Sequence, residues 1–127
     1  MTPKIMVVED NPANMKLATL LLEHAGYQVL QAGTAPAGIA LAREQGPDLI
    51  LMDIQLPGMN GLEATQLLKM DPATRPIKII ALTAFAMTGD EQRVLAAGCD
   101  GYISKPIEYK DFLARVAELL ASGGDAT

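Results

Sequence analysis

Three stretches of the chain are apolar without interruption: Ile5-Met6-Val7-Val8, Leu49-Ile50-Leu51-Met52 and Ile79-Ile80-Ala81-Leu82. A strand with one wet face alternates apolar and polar side chains. An unbroken run needs cover on both faces, which is the situation of a parallel sheet sandwiched between helices. Weaker strand candidates are Gln28–Ala32 and Gly101–Ser104. No apolar run is long enough to span a bilayer.

Helical patterns fill every gap between these runs. Asn11-Pro12 offers an N-cap followed by proline at the first helical position. Ala18, Leu21, Leu22 and Ala25 follow at helical spacing, and Gly26 supplies a stop. A second helix is expected over Ala35–Gln45, closed by Gly46-Pro47. A third starts near Asn60, with Glu63 placed for a capping box, and runs to about Met70. A fourth starts at Thr88, with Glu91 in the same relation, and stops at Gly98. Its apolar face is thin: Val94, Leu95 and Ala97. The last runs from about Tyr109 to Ala121, with Phe112, Val116, Leu119 and Leu120 on one face. Strand and helix thus alternate five times. With right-handed crossovers this gives an α/β fold, a doubly wound five-stranded parallel sheet. The expected strand order is 2-1-3-4-5, the flavodoxin-like (βα)5 arrangement.

The 127 residues suit one domain, expected over residues 1–121, with Ser122 to Thr127 as a flexible tail. Ten basic against fifteen acidic residues give a net charge of −5, without a Lys/Arg cluster. Direct nucleic-acid binding is not expected, because phosphate contacts need a basic face. The start, Met-Thr-Pro-Lys-Ile-Met-Val-Val-Glu-Asp, lacks a signal-peptide core, so a cytoplasmic location without membrane insertion is expected. The single cysteine, Cys99, excludes an internal disulfide and reads as a small buried hydrophobe.

Ligands in such sheets bind beyond the carboxyl ends of the strands. Strand one ends in Glu9-Asp10, strand three in Asp53, strand four in Thr83 and strand five in Lys105. Taken singly, each has an ordinary explanation: a turn former, a strand residue, a solvated surface charge. In the order 2-1-3-4-5 they share one edge. Three carboxylates placed together repel one another unless a cation joins them. Hard oxygen ligands with room for water suit Mg²⁺. Mg²⁺, a carboxylate and a lysine together suit phosphoryl transfer to a carboxylate nucleophile. Asp53 is the nucleophile candidate, since it stands on the central strand before a Pro57-Gly58 turn expected to leave its oxygen open. Glu9 and Asp10 are then metal ligands, and Thr83 and Lys105 bind phosphoryl oxygens.

The blocks Val-Val-Glu-Asp-Asn, Leu-Ile-Leu-Met-Asp-Ile-Gln-Leu-Pro-Gly-Met-Asn-Gly, Ala-Leu-Thr-Ala-Phe-Ala-Met and Gly-Tyr-Ile-Ser-Lys-Pro resemble the signature blocks of response-regulator receiver domains. The resemblance covers about Lys4 to Leu120. It is narrower toward DivK-type single-domain regulators and toward receivers attached to hybrid histidine kinases, through the stretch Thr83–Ile107. It implies that a histidine kinase or phosphotransfer protein donates a phosphoryl group to Asp53. It implies Mg²⁺ held by Asp10 and Asp53, with Glu9 mostly through water and with the backbone carbonyl of Gln55. Lys105 would contact the phosphoryl group, its bond to Pro106 is expected to be cis, and Thr83 with the Ala84 backbone would close on that group. Tyr102 matches the switch aromatic that turns inward as Thr83 moves, shifting a pre-existing equilibrium. The resemblance also implies that Gln55 and Phe85 stand at positions that tune the lifetime of the modified state in that family.

The surface of the fourth helix, fifth strand and fifth helix is the expected site for a downstream protein target. A monomer is favoured. The chain starts at Met1 and stops after the fifth helix, so a stand-alone regulator is expected. The alternatives are a receiver excised from a larger hybrid kinase or regulator, and an interaction module that signals without phosphorylation. The protein is not expected to be an enzyme, but a phosphoacceptor taking part in its own phosphorylation and dephosphorylation. A phosphatase of the haloacid-dehalogenase type needs a second acid two residues after the nucleophile, where Gln55 stands. A nucleotide or flavin binder needs a Gly-rich loop after strand one, where Glu-Asp-Asn-Pro-Ala-Asn stands instead.

Overall fold

The computed structural model describes residues 2–56, 58–83, 88–104 and 108–124, with backbone alone at 88–91 and 122–124. The elements in chain order are β1 (Lys4–Val8), α1 (Pro12–His24), β2 (Gln28–Ala32), α2 (Ala35–Gln45), β3 (Leu49–Asp53), α3 (Gly61–Met70), β4 (Lys78–Thr83), α4 (Thr88–Ala96), β5 (Gly101–Ser104) and α5 (Tyr109–Gly124). The five strands form one parallel sheet in the order β2-β1-β3-β4-β5, as expected.

The unbroken apolar runs are explained by two cores, one on each side of the sheet. Side chains alternate between faces along a strand. Met6, Val8, Ile50, Met52, Ile79 and Ala81 pack on one face with Ala35, Ile39 and Ala42 of α2, Ala64 and Leu68 of α3, and Val94 of α4. Ile5, Val7, Leu49, Leu51, Ile80 and Leu82 pack on the other with Ala18 and Leu22 of α1 and Phe112 and Val116 of α5.

Helix ends follow the local chemistry. The Asn11 side chain accepts the N–H groups of Ala13 (2.9 Å) and Asn14 (3.1 Å), and Pro12 needs no acceptor at the first helical position. Thr34 caps α2 through Ala37 N–H at 3.2 Å, and Gly46 closes it in the left-handed region at φ 57°. Asn60 caps α3 through Glu63 N–H at 2.9 Å.

Two expectations need correction here. Leu95 is 48% exposed, so among the described residues the buried side chains here are Val94 of α4 and Ala97 just after it. Three side chains this close together in sequence cannot all face inward, because each helical residue turns by about 100°. α5 runs on to Gly124, three residues into the segment read as a tail.

Candidate functional site

The carboxyl ends of β1 and β3 are adjacent, because β1 and β3 pair directly with Val8 opposite Met52. The next residues, Glu9 and Asp10 on one side and Asp53 on the other, therefore converge. Each offers a carboxylate oxygen, and these oxygens lie within 4.8 Å of one another. Glu9 extends the ladder by one residue, its N–H donating to the Ala32 carbonyl at 3.0 Å. Asp10 then leaves the sheet and is exposed, just before the Asn11 cap.

Asp53 is 2% exposed and Glu9 is 3% exposed. The expectation of an open Asp53 is corrected: the carboxylate forms the floor of a recess. It closes the central strand, with β1 and β4 on either side. Its Oδ1 accepts the backbone N–H of Gln55 at 2.9 Å, which turns the chain sharply after the strand. Ile54 N–H still donates to the Leu82 carbonyl at 3.1 Å, so β4 holds the segment directly after Asp53. Gln55 itself is exposed.

Thr83 ends β4 and is buried, with Ser104 of β5 opposite. Tyr102 is half-buried and packs against the core beneath α4. It also lines an open groove between β5 and α5 of about 610 Å³, with Glu108, Asp111, Arg115 and Glu118. The expected Lys105, Pro106, Ala84, Phe85 and Pro57 lie outside the described residues.

Two features went unread in the sequence. Lys69 of α3 donates to Asp100 Oδ2 (3.1 Å) and to the carbonyls of Ile77 (2.8 Å) and Arg75 (3.3 Å). Asp100 Oδ2 also accepts Ile79 N–H at 2.8 Å, so one ion pair ties α3 to the start of β4 and the turn before β5. Lys69 and Asp100 are 31 residues apart, which no local pattern reports. The other is Gly61, the first residue of α3, which lies directly on the backbone of Asp53 and Ile54. A glycine just after an asparagine cap was its only trace in the sequence. Cys99 is buried as expected, and burial pushes its thiol up, against a pull from the Thr65 hydroxyl.

A five-stranded parallel sheet in this order, with acidic residues converging at the carboxyl ends of β1 and β3, is a receiver-like α/β architecture. Residues 5–117 match the response regulator receiver domain, and the chain belongs to that family of two-component signalling proteins. It is 50% identical over 126 residues to the polar-differentiation response regulator DivK of Brucella ovis, across 99% of this chain and all of that one. A CheY-like receiver domain from Methanospirillum hungatei JF-1 is 31% identical, with a TM-score of 0.92 over the full length of both chains. The receiver domain of a Pseudomonas aeruginosa PAO1 sensor histidine kinase is 32% identical, with a TM-score of 0.88 over 95% of this chain and 99% of that one. It is described with a magnesium ion coordinated in its active-site cleft. No helix among the described residues is long and apolar enough to cross a membrane.

Proposed function

We propose that this protein is a stand-alone response regulator that accepts a phosphoryl group on Asp53 and thereby changes a protein-binding surface on α4, β5 and α5. The observation that carries this is the recess itself: carboxylate oxygens of Glu9, Asp10 and Asp53 within 4.8 Å, two of the three residues buried. So much negative charge in one place calls for a cation, and an all-oxygen set beside open solvent suits Mg²⁺. Asp10 and Asp53 would hold it directly, Glu9 largely through water, and the Gln55 carbonyl would complete the protein's share. The ion would supply neutralisation of the phosphoryl oxygens.

In the transfer itself, an Asp53 carboxylate oxygen attacks phosphorus and forms an O–P bond. The N–P bond of the phosphohistidine on a kinase or phosphotransfer protein breaks, and the imidazole nitrogen keeps the electron pair. The Gln55 N–H on Oδ1 fixes the orientation of the carboxylate for the attack. Thr83 and Lys105 would then bind the transferred phosphoryl oxygens. Thr83 stands one strand away from Asp53, and its approach would draw Tyr102 inward. Tyr102 lines the β5–α5 groove, so its movement would alter the surface a downstream protein meets. The likeness to DivK regulators and to a magnesium-bearing receiver supports the same reading. The protein would work in the cytoplasm as a monomer, without direct contact to nucleic acid. Residues 1–121 would form the packed receiver, with 122–127 as a tail whose first three residues continue α5.

The test is intact-mass spectrometry after incubation with Mg²⁺ and acetyl phosphate, where acetate is the leaving group. One added phosphoryl group is expected, lost in Asp53→Asn and in chelator. No adduct from this donor, nor from a phosphorylated phosphotransfer protein, would leave a phosphorylation-independent binding module as the better account.

A further inference from the structure

The segment after Asp53 is closed on itself. Gly61 N–H donates to the Ile54 carbonyl at 3.3 Å, while Ile54 N–H donates to Leu82 of β4. The first turn of α3 therefore sits against the peptide that joins Asp53 to Ile54. A Cβ at Gly61 would press into the Asp53 carbonyl oxygen, 2.7 Å from Ile54 Cα and 2.9 Å from the Asp53 carbonyl carbon. All three are backbone atoms, so no side chain can swing aside.

α3 has little freedom to retreat. Thr65, fully buried, donates its hydroxyl to the Gly61 carbonyl at 2.8 Å. The Cys99 thiol donates to the same Thr65 oxygen at 3.7 Å. Ala64 and Leu68 are locked into the core one and two turns along. On the other side, Glu9 and Asp10 follow β1, and Glu9 is held to β2 through the Ala32 carbonyl, so neither is tied to the Gly61 contact. Any displacement falls on residues 53–55, which carry the carboxylate, its Gln55 N–H bond and the Gln55 carbonyl.

We infer that Gly61 is a positioning residue for phosphoryl transfer: lacking a side chain, it lets α3 seat on the Asp53–Ile54 peptide and hold the Asp53 carboxylate in register with Glu9 and Asp10. This rests on the reading of Asp53 as the phosphoacceptor. A methyl group at Gly61 must open the contact by about 1 Å, and a misplacement of about 1 Å can cost about 100-fold in rate.

The experiment compares the native chain, Gly61→Ala and Val116→Ala, the last truncating a buried α5 side chain on the opposite face of the sheet. All are studied at a temperature where each is folded. Amide hydrogen exchange at Ile54 is measured without metal, Mg²⁺ affinity by NMR titration, and phosphorylation rate with acetyl phosphate. Gly61→Ala is expected to exchange at Ile54 and to lose Mg²⁺ affinity by about ten-fold or more beyond Val116→Ala, with rate falling between about ten- and 100-fold. If Gly61→Ala merely loses stability and otherwise matches Val116→Ala, Gly61 is an ordinary packing glycine and the inference is overturned. If the native chain takes no phosphoryl group, the phosphoacceptor reading fails, while exchange and Mg²⁺ affinity still decide what Gly61 positions. Should Gly61→Ala not fold, Thr65→Val removes the hydroxyl that holds the Gly61 carbonyl. A two-fold or greater loss of Mg²⁺ affinity there, restored in Thr65→Ser, supports the inference, and unchanged affinity overturns it.

Discussion

Replacing Asp53 by asparagine should leave the metal-free protein at least as stable as the native chain while removing most of its stabilisation by Mg²⁺. The carboxylate oxygens of Glu9, Asp10 and Asp53 lie within 4.8 Å of one another. At that separation each charged pair repels by about 0.9 kcal/mol in bulk water and by about 3.5 kcal/mol at an effective dielectric constant near 20. Asp10 is exposed, and Asp53 and Glu9 are buried, so the Asp53–Glu9 pair lies toward the upper figure and the Asp53–Asp10 pair toward the lower. Asparagine keeps the shape and an oxygen for the Gln55 N–H but drops both repulsions. A gain of about 1–3 kcal/mol in chelator remains once lost attractions are set against it. Mg²⁺ at 100 times its dissociation constant should stabilise the native chain by about 2.7 kcal/mol. The assay is urea unfolding of both proteins, in chelator and in millimolar Mg²⁺. A metal-free Asp53→Asn protein more than 1 kcal/mol less stable than the native one, with the Mg²⁺ increment intact, would refute the idea of a strained acidic recess awaiting a cation.

Three further outcomes are expected. Phe112→Ala removes a side chain that is 0% exposed between α5 and the sheet, and should cost about 3–5 kcal/mol in urea unfolding. Lys69→Met leaves Asp100 and two carbonyls without their ammonium partner and should cost about 1–3 kcal/mol, whereas Arg43→Met, at a pair with a 56% exposed arginine, should cost under about 0.5 kcal/mol. Equal losses in the two variants would show that the partly buried pair has no special weight. The Ala73 N–H and Arg43 hold the Asp71 carboxyl below its usual 3.8. A lowered folded value contributes stability above the unfolded one and loses it as pH falls through the folded value. Asp71→Asn should therefore lose that small contribution at neutral pH, approach the native chain as the pH falls below about 4, and so flatten the acid limb of a stability–pH profile, as urea titrations across that range would show.

The strands were legible because buried parallel strands leave an unbroken apolar record, and Leu49 to Met52 shows why. Leu49 and Leu51 feed one core, Ile50 and Met52 the other, so no position was left for a polar residue. Helix starts were legible because capping is local: Asn11 and Asn60 each bond N–H groups two or three residues ahead, as does Thr34, which was not read as a cap. Leu95 was misread because a thin helical face is set by what it packs on, which the sequence of α4 alone does not state. The depth of Asp53 was misread because a turn after a strand suggests exposure, while β1 and β4 on either side close it in.

By itself the sequence determined the alternation of strands and helices, the caps, and which residue types leave the sheet at its carboxyl edge, since all of these are written in neighbouring positions. Only the tertiary structure decided that Glu9, Asp10 and Asp53 share 4.8 Å of space, that Lys69 reaches Asp100, and that Gly61 lies on the Asp53 backbone. The physical reason is that crossover connections bring the acids, and Lys69 with Asp100, together from dozens of positions apart, while the Gly61 contact depends on how α3 packs back against the end of β3.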